Sequence, residues 1–166
     1  MDEKIQTIVP HVNFRVRELG DWFDKNTDDY FKGKRVVVFS LPGAFTPTCS
    51  NQQLPGFEKQ ADVFKAHGID EIYCISVNDS FVMNAWALDQ KLENVKVIPD
   101  GNGQFTQEMG MLCQKRDKCF GQRSWRYAMI VNDGVIEQMF VEPGKTDDTP
   151  EDLSLIHISE PTRRRG

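Results

Sequence analysis

No apolar run in this 166-residue chain approaches the roughly 20 residues that a membrane-crossing helix needs. Positive charge is in short supply as well. Its 20 Lys and Arg face 25 Asp and Glu, a formal net charge of −5, which leaves no electrostatic footprint for nucleic acid or an anionic membrane surface. The four cysteines, Cys49, Cys74, Cys113 and Cys119, contain no CxxC pair, so a dithiol–disulfide exchange motif is missing. Cysteine and histidine show no metal-ligand spacing, and neither a metal nor another cofactor is expected. Met1-Asp2-Glu3-Lys4 carries no signal-peptide pattern, so a cytoplasmic home is the default and the cysteines are expected as thiols. No internal repeat or low-complexity linker divides the chain. What remains, 39% apolar and 27% charged residues, is the composition of one soluble domain with a core of its own.

Hydrophobic periodicity places the elements. Residues 12–17 alternate apolar and polar as a surface strand, and Gly20-Asp21 turns the chain toward a return strand at Trp22-Phe23. A short helix is expected over residues 27–32. Residues 34–41 contain an unbroken Val-Val-Val-Phe run, the mark of a strand covered on both faces. From 49 to 67, Leu54, Phe57, Ala61 and Phe64 recur at helical spacing, with a bend expected at Pro55. A buried strand follows at 72–77. Asn78-Asp79 can then cap a helix from 80 to about 92 with Phe81, Ala85, Trp86 and Leu88 inward. A third parallel strand is expected at 95–98 and a short helix over 105–112. The last strands, 125–131 and 135–141, flank Asn132-Asp133-Gly134, the strongest turn signal in the chain. Parallel strands with crossover helices and a terminal antiparallel hairpin predict an α/β, thioredoxin-like fold with an N-terminal β-hairpin extension, spanning residues 1–152. The segment 153–166 does not fit. Pro161 blocks a helix and three arginines end the chain, so it reads as an atypical, foreign or read-through tail.

Cys49 closes a tight loop, Pro42-Gly-Ala-Phe-Thr-Pro-Thr-Cys49, between the most apolar strand and the start of a helix. A free thiol has a pKa near ~8.5, so little of it is the nucleophilic thiolate at neutral pH. Backbone N–H groups at a helix start favour the anion. The hydroxyl of Thr46 can turn back toward the sulfur, and an arginine from elsewhere can add positive charge. Pro42 and Pro47 stiffen the loop. Such a set suits a peroxide: a thiolate attacks one oxygen while donors meet the charge that develops on the other. The cysteine then becomes a sulfenic acid.

Pro42-x-x-x-Thr46-x-x-Cys49 resembles the active-site signature of the peroxiredoxins. The wider run Leu41–Ser50, with Ile75-Ser-Val-Asn-Asp79, Phe81-Val-Met-Asn-Ala-Trp86, Ile98-Pro-Asp-Gly-Asn-Gly103 and Phe120-Gly, is similar to their type II (Prx V-like) class, especially bacterial members sometimes fused to a glutaredoxin domain. The resemblance covers roughly residues 10–145. It implies that Cys49 is the peroxidatic cysteine, that Thr46 hydrogen-bonds sulfur and peroxide, and that Pro42 shields the pocket. It assigns the family's arginine to Arg126, with Arg123 as the nearby competitor. Cys74 matches the resolving cysteine of plant-type members, although a small buried hydrophobe is the blander reading. The substrate implied is hydrogen peroxide or an alkyl hydroperoxide. The reductant implied is glutathione/glutaredoxin or thioredoxin, acting in trans, and the assembly implied is a homodimer.

Other readings stand beside this one. Oxidised Cys49 could pass its oxidation to a protein partner as a redox sensor or relay. A general disulfide oxidoreductase would need CxxC, and Gln52 stands where its second cysteine belongs. Gln53, one turn after Cys49, could face the pocket where relatives often carry histidine, although a solvated glutamine is the blander reading. His11, His67 and His157 show no partner in sequence. Phe45, Phe120 and Trp86 can line a pocket or pack in the core, and Cys113 and Cys119 bracket a charged segment as spectators.

Overall fold

The computed structural model describes residues 5–48 and 52–143. Cys49, His157 and the 153–166 segment lie outside them. Strands β1 (Asn13–Glu18) and β2 (Asp21–Asn26) form the expected hairpin, and helix α1 (Thr27–Phe31) follows. The central sheet holds β3 (Arg35–Ser40), β4 (Glu71–Ser76), β5 (Val95–Pro99), β8 (Tyr127–Asn132) and β9 (Val135–Val141) in the order β5-β4-β3-β8-β9. β4 runs parallel to both β3 and β5, while β8 is antiparallel to β3 and β9. This is the thioredoxin-like layout that the element order predicted.

The Val-Val-Val-Phe run of β3 divides between two cores, because successive side chains of a strand point to opposite faces. Val36 and Val38 join a cluster with the N-terminal hairpin, α1 and Phe105. Val37 and Phe39 join Leu54, Phe57, Phe64, Met83 and Trp86 on the other face. There the rings of Phe39 and Phe57 stack with centroids 3.9 Å apart, which seats the helix after the Cys49 loop directly on β3. The closing turn behaves as its sequence demands: Asp133 and Gly134 both take positive φ, 49° and 83°. Asp133 also accepts from Gly33 N at 2.6 Å and donates its own N–H to Lys34 O at 2.8 Å, tying the turn to the start of β3.

Four local expectations are corrected. The bend expected at Pro55 lies elsewhere. Pro55 sits in the first turn of α2 (Leu54–Lys59), where a missing N–H costs nothing. The chain instead leaves helical geometry at Gln60 (φ −90°, ψ 5°) before α3 (Ala61–Ala66). On α4 (Ser80–Asp89) the inward residues are Ser80, Met83 and Trp86, whereas Phe81, Ala85 and Leu88 face out. The cap of Asp79 on Val82 N fixes the helix phase, and Trp86, the largest apolar surface, takes the core. Phe81 packs edge-on against Trp22 at 5.4 Å. Helix α5 (Gln104–Glu108) ends earlier than expected, with Gly110 at φ 76° just beyond it. Residues 112–124 then form an unanticipated hairpin, β6 (Leu112–Lys115) with β7 (Gly121–Ser124). His11 and His67 are both at the surface, His11 3.7 Å from Asp28 and His67 Nδ1 2.8 Å from Val63 O.

Glu58 of α2 clamps the entry of β5. Its carboxylate accepts from Val95 N at 2.8 Å, Asn94 N at 3.0 Å and Asn94 Nδ2 at 2.8 Å. Burial works against the charge, yet these donors outweigh it and hold the pKa below its ordinary 4.5. A depressed carboxylate contributes stability above its unfolded pKa and loses it as pH falls through the folded one. Denaturant unfolding from pH 7 downward is therefore expected to show a smaller drop below pH 4.5 in Glu58→Gln than in the parent. An identical acid limb would remove this role.

Candidate active site

The loop that leaves β3 is built by backbone pairing. Thr46 donates its hydroxyl proton to Gly43 O at 2.7 Å and its N–H to the same carbonyl at 3.4 Å, which folds residues 43–46 into a turn. Ala44 N donates to Asn78 Oδ1 at 3.0 Å, and Ser76 Oγ donates to the same oxygen at 2.7 Å. The loop after β4 thus holds the loop after β3. Phe45, at the turn's apex, sits at φ 65° and is 51% exposed. A bulky residue in the left-handed region stores strain on the order of 1–3 kcal/mol, the kind of cost that a functional loop carries. Pro42 and Thr46 are buried. Thr46 therefore turns its hydroxyl hydrogen toward Gly43, leaving lone pairs rather than a proton to meet a neighbour.

The two arginines separate clearly. Arg126 immediately precedes β8 and is fully buried. Its Nη1 donates to Gln53 Oε1, and its Nε lies 3.9 Å from Glu142 Oε2. Gln53 belongs to a π turn at residues 52–53, one turn beyond Cys49 in sequence, and is 3% exposed. The solvated glutamine expected from sequence is corrected to a buried partner of Arg126. An amide is an uncharged acceptor that a buried guanidinium can hold, which a local reading of Asn-Gln-Gln-Leu does not reveal. Arg123 stands outside this group. Its Nε donates to Phe120 O at 3.1 Å, its Nη1 to Val77 O at 3.3 Å, and its guanidinium covers the Phe120 ring at 5.4 Å. The same Nη1 lies 2.6 Å from where a Cβ on Gly43 would stand. Arg123 is thus a strut against the outside of the loop.

The other three cysteines sit on different elements. Cys74 is fully buried in the core on β4, Cys113 is buried on β6, and Cys119 is exposed at φ 59°. Trp86 is core and Phe120 half-buried under Arg123. Two clefts, of about 280 and 680 Å³, open beside the N-terminal hairpin, and neither is lined by Pro42, Thr46, Gln53 or Arg126.

Residues 13–154 match the Redoxin family. Over 153 residues the chain is 56% identical to a peroxiredoxin of Rhizobium etli, covering 87% of this chain and 86% of that one. The chain belongs to the peroxiredoxins. Its sequence is also 56% identical over 140 residues to the hybrid peroxiredoxin hyPrx5 of Haemophilus influenzae, covering 84% of this chain and 58% of the relative's length. Among solved structures, reduced Prx3 of Vibrio vulnificus in complex with H2O2 superposes with a TM-score of 0.81 at 35% identity, covering 94% of this chain and 98% of that one. The type II, Prx5-like resemblance and the thioredoxin-like fold both hold, and the peroxiredoxin is a thiol-dependent peroxidase acting on peroxide with a thiol reductant.

Gly43 is where the loop meets its strut. In Gly43→Ala the new methyl would displace the Arg123 guanidinium from Val77 O, while Thr46 Cγ2 at 3.6 Å is an ordinary contact. Thermal unfolding is expected to show a clear loss for Gly43→Ala in the parent and little further loss in an Arg123→Ala background. Equal losses in both backgrounds would refute the strut.

Proposed function

We propose that Cys49 is the nucleophile and that Pro42, Thr46 and Arg126 complete its site. The observation that carries this reading is the buried Arg126, held by Gln53 one turn beyond Cys49 in the chain. In the proposed reaction, thiolate sulfur attacks one oxygen of hydrogen peroxide or an alkyl hydroperoxide. The S–O bond forms as O–O breaks, and the departing oxygen leaves as water or alcohol once protonated. Sulfur loses two electrons and the peroxide gains them, leaving a sulfenic acid. Thr46 has spent its hydrogen on Gly43 O, so its oxygen accepts from the peroxide O–H and orients it. Arg126 supplies positive charge to the sulfur and to the oxygen gaining charge. Pro42 excludes water from one side.

Regeneration needs an outside thiol on this reading. Cys74 is fully buried on β4, paired on one side with β3 and on the other with β5, so a disulfide to Cys49 would require the sheet to open locally. Glutathione/glutaredoxin or thioredoxin would therefore attack the sulfenic acid, expel water and leave a mixed disulfide that a second thiol resolves. A homodimer formed near the active-site loop and a cytoplasmic setting complete the proposal, with residues 1–152 as the working domain.

Stopped-flow oxidation by hydrogen peroxide tests the first half. Cys49→Ser is expected to abolish it, and Thr46→Val to slow it by about 10²-fold or more. Full activity in Cys49→Ser would end the reading. Steady-state turnover with each donor tests the second. Cys74→Ser is expected to retain glutathione/glutaredoxin-linked turnover, and loss of every donor-linked rate with a normal oxidation step would make Cys74 the resolver.

A further inference from the structure

Among the described residues, the buried arginine meets Gln53 from the turn before α2 and Glu142 from the end of β9. Glu142, just past the end of β9, is 5% exposed and sends Oε2 to within 3.9 Å of Arg126 Nε. The two residues are also joined through the backbone, Glu142 N donating to Arg126 O at 3.0 Å. This continues the β8–β9 ladder, whose last pair is Tyr127 with Val141. Gln53 meets the same guanidinium at a different nitrogen, accepting from Nη1. The contact at Nε is an ion pair without a hydrogen bond, so Glu142 acts on the guanidinium by charge while Gln53 holds Nη1 by a hydrogen bond. A full negative charge in the interior is costly and is retained where it has an opposite charge to hold.

From this geometry we infer that Glu142 is a positioning residue for peroxide reduction: its carboxylate sets the orientation of the Arg126 guanidinium from the end of β9. It touches neither sulfur nor peroxide and acts through Arg126. The inference rests on the proposed role of Arg126. It departs from a simple charge-balance role, in which neutralising Glu142 would leave the guanidinium more strongly positive and speed the reaction.

The test is stopped-flow oxidation of the full chain by hydrogen peroxide, with thermal unfolding of each variant in parallel. Glu142→Gln keeps size and hydrogen-bonding atoms but removes the charge, and is expected to slow oxidation about tenfold or more. Glu142→Asp keeps the charge on a shorter arm and is expected to fall between Glu142→Gln and the parent, which keeps the comparison readable if Glu142→Gln does not fold. The deciding measurement is a double-mutant cycle with Arg126→Lys. If Glu142 works through the guanidinium, either Glu142 substitution slows oxidation far less in the Arg126→Lys background than alone. Unchanged or faster oxidation in the single variants, or a full additive loss in the double variant, overturns the inference. If Arg126→Lys alone oxidises at the parental rate, the proposed role of Arg126 fails first.

Discussion

A guanidinium removed from water is the constraint around which this site is organised. Burying an ion costs several kcal/mol even after relaxation, and removing its partner costs about 3–5 kcal/mol more. Arg126 is fully buried, so the fold has to bring partners to it. Gln53 comes from the turn leading into α2 and Glu142 from the end of β9. Gln53 lies 73 residues before Arg126 in sequence, and Glu142 follows it by the whole β8–β9 hairpin. The charge can sit there only when α2 is docked on β3 and the β8–β9 hairpin is closed, so the site's electrostatics are a consequence of the completed core.

The docking of α2 rests on ordinary packing. Phe57 lies flat on Phe39, with Leu54, Ala61 and Phe64 continuing the contact over one face of the sheet. Deleting one such ring costs about 3–5 kcal/mol in a packed core, comparable to the whole margin of a small domain. Glu58 fastens the same helix to the start of β5. The loop ahead of it is held from three other directions: Asn78 grips Ala44, Thr46 closes on Gly43, and Arg123 leans against Gly43 from outside. The left-handed Phe45 is tolerated because these contacts over-determine the turn.

The legible part of the chain is the part written in local chemistry. The Val-Val-Val-Phe strand, the Asn-Asp-Gly turn, the N-terminal alternation and the Pro42/Thr46/Cys49 spacing each declare themselves within a few residues. Where the fold departs from the local pattern, long-range packing or a helix boundary decides. The face of α4 that turns inward was decided by the Asp79 cap and the bulk of Trp86, not by the number of apolar residues on the other side. The 112–124 hairpin is held by pairing across a short charged tip, with little periodicity to announce it. Pro55 bends nothing because α2 begins beside it, a boundary that the local sequence does not mark.

Composition and motif alone determined the chemical class of this protein: a thiol-dependent peroxidase on a thioredoxin-like frame, with a cysteine in a Pro/Thr loop, no CxxC pair and an acidic balance. Those properties are local, set by residue type and spacing along the chain. Tertiary structure decided which arginine enters the interior, that Gln53 and Glu142 receive it, and that Arg123 braces the loop instead. Arg123 and Arg126 differ by only three positions and carry the same charge. Only burial and the arrival of distant partners distinguish them, and neither exists until the sheet has assembled.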